Sequence, residues 1–176
     1  MEIIFVRHAE TEKGENADLT RNGRLQAKLL ARELKNEKIG EFYSSDLNRT
    51  KQTSEIINKS IKKQIKFEKA LREFKTETLK KEKKKLTKEE KDKIKKLFHF
   101  LDKISKGKDK EKTILIVAHG LTNRLILSYF MNLDYAKLVP FMQKETCINK
   151  IEWTPKYQNW RLEMMGNHSH LPRKLK

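Results

Sequence analysis

Residues 113–120 read Thr-Ile-Leu-Ile-Val-Ala-His-Gly, an apolar run that stops at a histidine–glycine pair. An apolar run without polar residues at alternate positions is typical of a central strand that helices cover on both faces. Near the start of the chain the pattern recurs, because the apolar residues 3–6 run into Arg7 and His8. The two runs predict buried strands that each end in a histidine.

Strand and helix patterns alternate along the rest of the chain. Further strands are predicted at 39–44, 65–67, 146–153 and 158–165, the last two as a hairpin. Helices are predicted at about 20–35, 46–59, 88–105 and 121–131, and the first should turn Leu25, Leu29, Leu30 and Leu34 inward. Alternation of this kind builds a sheet with helices on both faces. We expect an α/β fold, a three-layer α/β/α sandwich with a mostly parallel central sheet, in a single domain over 1–176.

The positive charge of the chain is distributed unevenly. The chain has 176 residues and a net charge of +17, and residues 51–112 hold 23 Lys/Arg against 11 Asp/Glu, a net of +12. Thr87 and Glu90 fit a capping box, after which apolar residues recur every three or four positions and lysines fill the outer face. Residues 80–96 contain no aromatic residue or glycine to interleave with the bases of a nucleic acid. We therefore expect a short helical cap insert, Lys-rich and reduced, at about 74–110, and no nucleic-acid partner.

Several classes of protein are excluded by composition. No stretch approaches the roughly 20 apolar residues of a membrane span. The N-terminus lacks the basic lead of a signal peptide, and the lone Cys147 rules out an intrachain disulfide or a multi-cysteine zinc site. We expect a cytoplasmic protein without a membrane partner. Because like charges would meet on the Lys-rich helix, we expect a monomer or a weak homodimer.

The two strand ends indicate a binding site. In open α/β sheets, ligands bind beyond the carboxyl ends of the strands, so Arg7-His8 and His119-Gly120 should face one crevice. Arginine there would repel a metal ion, whereas its guanidinium fork matches phosphate oxygens. The pair favours a phosphate site with no metal and no other cofactor. Taken alone, the pair is also compatible with two unrelated histidines on the surface that happen to follow strands.

Five blocks, in order along the chain, narrow this interpretation. They are Arg-His-Ala-Glu-Thr at 7–11, Leu-Thr-Arg-Asn-Gly-Arg-Leu-Gln-Ala at 19–27, Ser-Asp-Leu-Asn-Arg-Thr-Lys-Gln-Thr at 45–53, Leu-Arg-Glu at 71–73 and Val-Ala-His-Gly at 117–120. Together they resemble the signature blocks of the histidine phosphatase superfamily, the group that includes the phosphoglycerate mutases. The resemblance extends from residue 7 to residue 120.

The resemblance implies roles for the residues at the strand ends. His8 is then the nucleophile that takes the phosphoryl group on a ring nitrogen, which suits a neutral imidazole near pH 7. Arg7, Arg49 and His119 would surround the phosphoryl group and stabilise the charge on its oxygens. The backbone N–H of Gly120 would add to this cradle, because a helix N-terminus favours anions.

Other site residues are less clearly marked. By resemblance Glu73 is the general acid, with Glu77 as the nearby substitute, although the Gly-x-Trp-x-Gly segment that often follows this acid is replaced here by other residues. Asn16 is a candidate phosphate contact, because Gly14 stands where the family often has asparagine. Ser45 offers either a hydroxyl near the site or a helix cap.

The short insert bears on the reaction. Mutases of this family carry a longer insert with an Arg-Arg pair, whereas the only arginine here between Arg49 and Arg124 is Arg72. An open site favours hydrolysis, so we expect a metal-independent phosphoric monoester hydrolase that forms a phosphohistidine on His8 and takes a small phosphorylated substrate. The alternatives are a phosphohistidine protein phosphatase and, further off, a phosphoglycerate mutase or a non-enzymatic nucleic-acid-binding protein.

Overall fold

The structure is a computed structural model that describes residues 1–14, 16–74, 86–106, 112–138 and 140–175. The strands in these residues are Glu2–Arg7 (β1), Ile39–Ser44 (β2), Ile65–Phe67 (β3), Thr113–Ala118 (β4), Ile148–Thr154 (β5) and Asn159–Asn167 (β6). The α-helices are Arg21–Glu33 (α1), Asn48–Ile61 (α2), Lys88–Ser105 (α3) and Gly120–Met131 (α4). Short 3-10 helices, such as Lys69–Leu71, connect several of them.

The six strands form one mixed sheet in the order β3-β2-β4-β1-β5-β6. Neighbouring strands from β3 through β2 and β4 to β1 are parallel. Strands β5 and β6 form an antiparallel hairpin that joins the sheet along β1. Strand β4 lies between β2 and β1 and is buried along its whole length, as its unbroken apolar run predicts. The α/β fold with a mostly parallel central sheet is therefore confirmed.

Alternate residues of the central strands face two different helical layers. Ile3 and Phe5 of β1 pack in one hydrophobic cluster with Leu97 of α3 and Leu125 of α4. The intervening residues of β1 and β4 pack in a second cluster with residues of α1 and α2. Both faces of the sheet are covered, which explains why these strands are apolar at every position.

Two local predictions have clear outcomes. The capping box is confirmed, because the Thr87 hydroxyl accepts a hydrogen bond from the Glu90 amide and the Glu90 carboxylate accepts one from the Thr87 amide. The prediction that Leu25 faces inward is wrong, since its side chain is 43% exposed. Helix α1 instead buries Gly23, Gln26 and Ala27 of the same turns. No helix among the described residues is long and apolar enough to cross a membrane.

Candidate active site

Strand register brings three chain segments together at the carboxyl edge of the sheet. Arg7 pairs with Ala118 and Ser44 pairs with Val117, so His8, Ser45 and His119 follow neighbouring strand ends. The His8 amide then donates to the Ala118 carbonyl oxygen at 3.0 Å. The two strand ends are therefore adjacent, and the ring centroids of His8 and His119 lie 5.2 Å apart.

The loop after β1 is held by helix α1. A Cβ at Gly23 would overlap the Glu10 carbonyl oxygen, so only glycine allows α1 to pack this closely against the loop. Gln26 Oε1 accepts from the Glu10 amide at 2.9 Å, and Thr20 Oγ1 donates to Glu10 Oε1 at 2.6 Å. The Leu-Thr-x-x-Gly-x-x-Gln-Ala block thus fixes the backbone that follows His8.

The His8 ring has one nitrogen committed to the backbone and one available for chemistry. Nδ1 lies 2.7 Å from the Ala9 carbonyl oxygen, an acceptor, so Nδ1 carries the proton and Nε2 has a lone pair. Burial of the ring, with the positive charges of Arg7 and Arg49, lowers the pKa of His8 from 6.5 to about 3. The ring is therefore neutral near pH 7, as a nucleophile requires.

Arg49 lies between His8 and His119 and contacts both rings. Its Nε lies 3.2 Å from His8 Nε2 and 3.2 Å from His119 Nδ1, and it donates toward both. Because His119 Nδ1 accepts from Arg49, the proton of the neutral His119 ring lies on Nε2, which is 3.0 Å from Ser45 Oγ. Burial, then the charges of its neighbours, lowers the pKa of His119 well below 6.5. The Ser45 hydroxyl therefore lies beside His119, and α2 begins after Leu47 without a side-chain cap.

Arg7 is oriented by the loop before β5. Its Nη1 donates to the Gln143 carbonyl oxygen at 2.7 Å, and its Nη2 pairs with Glu145 Oε1 at 2.8 Å. Its buried Nε has no hydrogen-bond partner among the described residues, and Gly120 at the start of α4 lies next to it. Gln143 and Glu145 were not found from sequence, because no motif marks them and the pairing of β5 with β1 brings them here.

Glu73 lies at the N-terminus of α4. Its Oε1 accepts from the amides of Leu121 at 3.2 Å and Thr122 at 3.3 Å, and from the Phe74 amide at 3.1 Å. Burial raises the pKa of the Glu73 carboxyl, although these N–H groups and two arginines act in the other direction. The carboxyl therefore keeps a proton to higher pH than an ordinary glutamate. Glu77 lies outside the described residues.

A cavity of about 320 Å³ opens beside Arg7 and Glu73, and its walls include Gly120, Leu121 and Arg124. Arg124 donates from Nε to the Phe141 carbonyl oxygen at 2.7 Å, which directs its guanidinium along the wall. Two larger cavities lie elsewhere, and neither Arg7 nor Glu73 is among the described residues that line them.

Asn16 is the candidate phosphate contact in the loop that follows β1. Its side chain is exposed in the loop before α1, and its carbonyl oxygen accepts from Asn48 Nδ2 at 3.1 Å. Asn48 precedes Arg49, so the loop is joined to the site through the first turn of α2. A phosphate contact from the Asn16 side chain stays a prediction.

The family model for the histidine phosphatase superfamily (branch 1) matches residues 3–103 and 91–168. The chain therefore belongs to this superfamily, as the five sequence blocks predict. Membership of a family does not by itself assign a reaction, because one fold hosts many different functions.

Individual relatives add detail. The chain is 38% identical over 82 residues to the probable phosphoglycerate mutase GpmB of Photorhabdus laumondii, a match that covers 42% of this chain and 38% of that protein. The chain thus matches well under half the length of this curated relative. Phosphoserine phosphatase of Entamoeba histolytica, solved with 3-phosphoglyceric acid, superposes with a TM-score of 0.77 at 21% identity and covers 97% of this chain and 99% of that one. Mycobacterial glucosyl-3-phosphoglycerate phosphatase, solved with inorganic phosphate, gives a TM-score of 0.75 at 16% identity, with 97% and 99% covered. At these identities the structures show a shared fold.

Proposed function

We propose that this chain is a metal-independent phosphatase that hydrolyses phosphomonoesters through a phosphohistidine intermediate on His8. The observation that carries the proposal is the position of Arg49 Nε, 3.2 Å from both His8 Nε2 and His119 Nδ1. A neutral nucleophilic nitrogen thus lies beside a fixed guanidinium. Transfer of a phosphoryl group requires both, because the nitrogen attacks phosphorus and the guanidinium neutralises charge on the phosphoryl oxygens.

In the first step His8 Nε2 attacks phosphorus, so that a P–N bond forms and the P–O bond to the leaving group breaks. Glu73 gives its proton to the leaving oxygen. In the second step water attacks phosphorus and gives a proton to the Glu73 carboxylate, and the P–N bond breaks. His8 and Glu73 then return to their starting protonation states, and inorganic phosphate leaves.

Charge on the phosphoryl oxygens would be stabilised by donors from separate segments of the chain. Arg7 Nε is a buried donor without a partner among the described residues, and Arg49 lies beside the His8 ring, where His119 Nδ1 accepts from its Nε and so holds it in place. The Gly120 amide at the start of α4 would add a third donor, because N–H groups at a helix N-terminus favour anions. These donors are held in place beforehand, so little reorganisation is needed during the reaction.

Glu73 favours phosphomonoesters over a phosphohistidine protein substrate. An alkoxide is a poor leaving group and needs a proton, whereas a phosphohistidine ring needs little help to leave. The cavity beside Glu73 is the place where we expect the alcohol part of a small phosphorylated substrate to lie. The short insert, without an Arg-Arg pair, favours hydrolysis over the mutase reaction.

A panel of phosphorylated metabolites and p-nitrophenyl phosphate, assayed in the presence of EDTA, tests the proposal. Wild-type protein should release phosphate, and His8→Ala should reduce the rate at least about 10³-fold. The matched control is His99→Ala, since His99 is exposed on α3. Phosphate release that persists in His8→Ala, or that requires added metal, would contradict the proposal. With 3-phosphoglycerate and its bisphosphate, isomerisation in place of hydrolysis would identify a mutase.

A further inference from the structure

Lys93 differs from its neighbours on α3. Its Nζ donates to the Glu73 carbonyl oxygen at 2.5 Å and lies 4.5 Å from the centroid of the Phe74 ring. Its side chain is partly buried, whereas Lys95 and Lys96 are exposed. A cation that donates to a carbonyl forms a strong hydrogen bond, and its place over an aromatic ring adds a further attraction. Lys93 is therefore attached to the segment that carries Glu73.

Other contacts show how this segment is held. Arg72 binds both oxygens of Asp46, at 2.6 and 2.7 Å, and Thr122 Oγ1 donates to the Arg72 carbonyl oxygen at 3.2 Å. The Glu73 side chain accepts from the first amides of α4, as described above. Lys93 of α3 donates to the Glu73 backbone. Glu73 is thus held both by α4, which directly follows His119, and by α3.

We propose that Lys93 is a positioning residue that holds Glu73 in the geometry required for proton transfer to the leaving group. The proposal rests on the phosphatase function proposed above. General acid catalysis requires the donor oxygen within hydrogen-bond reach of the leaving oxygen, and a displacement of about 1 Å is enough to weaken it. The insert then contributes one specific contact to the reaction, in addition to its charge.

The experiment compares substrates that differ in their need for an acid. The leaving group of p-nitrophenyl phosphate departs as a stable phenolate, whereas glycerol 2-phosphate, an alkyl ester, needs a proton. We would measure kcat/KM for both with wild type, Lys93→Met, Lys93→Arg and the exposed control Lys95→Met, using Glu73→Gln as the reference for loss of the acid. The ratio of the two kcat/KM values does not depend on the fraction of folded protein.

We expect Lys93→Met to reduce kcat/KM about 10-fold or more for the alkyl ester and less than about 3-fold for the aryl ester. Lys93→Arg should recover most of the ratio, because it keeps a charged donor, and Lys95→Met should leave it unchanged. An unaltered ratio in Lys93→Met would overturn the positioning role while leaving the phosphatase function in place. A wild-type chain inactive on both esters would overturn both proposals.

Discussion

Positive charge is arranged differently at the carboxyl edge of the sheet and along α3. At the edge, Arg7 is directed by Gln143 and Glu145, and Arg49 contacts two buried histidines. Along α3, lysines such as Lys91 and Lys95 are exposed, and the helix is anchored by its opposite, apolar face. The edge has fewer charges, but each has a fixed direction.

The comparison shows that the number of charges does not indicate where chemistry takes place. A solvated lysine is screened within about 10 Å at 0.1 M salt and acts on a substrate only as part of a field. A buried donor in a fixed position acts directly on the charge that develops in the transition state. Substitutions at the edge should therefore change rates by orders of magnitude, and substitutions of the exposed lysines of α3 much less.

Among variants that keep the nucleophile His8, the largest effect is expected for Glu73→Gln, which removes the acid proton and keeps the shape of the side chain. We expect kcat/KM for alkyl phosphates to fall about 10²–10⁴-fold. Since burial raises the pKa of Glu73, the wild-type rate should decline as pH rises through that pKa, and this alkaline limb should be absent in the variant. A variant with wild-type rate and the same pH profile would move the role to another residue, such as Glu77.

Arg49→Met is expected to have the next largest effect. It removes the donor that both histidines share, and we expect a loss of about 10²–10³-fold in kcat/KM. Arg32→Met is the matched control, because Arg32 is exposed on α1. If kcat/KM fell by the same small factor in both variants, the contrast between directed and solvated charge would be wrong.

Acid stability gives a third comparison. An unfolded chain protonates His8 near pH 6.5, whereas the folded chain does so at about 3, so the unfolded state binds more protons between these values. The contribution of His8 to the free energy of unfolding should be fully present above pH 6.5 and should fall as pH drops toward 3. In His8→Gln, urea unfolding at pH 7 and 4.5 should show about 2 kcal/mol less acid destabilisation than in wild type. Equal acid destabilisation of the two proteins would mean that His8 is not held neutral by burial.

The smallest effect should come from the charge of α3. If its lysines steer anionic substrates, kcat/KM should fall a few-fold as salt rises from low to physiological concentration, and Lys91→Glu with Lys95→Glu should flatten this dependence. Reversal at Lys80–Lys85, which lie outside the described residues, should do the same. Without any salt dependence, the charge of this region would have no part in substrate capture.

Much of the fold and site follows from local sequence patterns. The apolar runs of β1 and β4 predict buried strands, and the residues directly after them are His8 and His119. Leu25 could not be placed correctly, because periodicity alone does not show that α1 packs its Gly23 face closely against Glu10 and leaves Leu25 exposed.

Long-range contacts account for most of what sequence could not predict. Gln143 and Glu145 reach Arg7 only because β5 enters the sheet antiparallel to β1. Lys93 reaches Glu73 across 20 residues and, in sequence, resembles every other lysine of its helix. Tertiary packing determines both contacts, and no local motif marks them.

The most direct test is to look for a covalent intermediate. Wild-type protein would be mixed with a phosphomonoester that it hydrolyses, denatured rapidly in alkali, and digested for mass spectrometry at high pH, where an N–P bond survives. We predict one phosphoryl group on the peptide that contains His8, lost on mild acid treatment and absent from His8→Ala. Turnover without any such adduct, or an adduct on a different residue, would contradict the account.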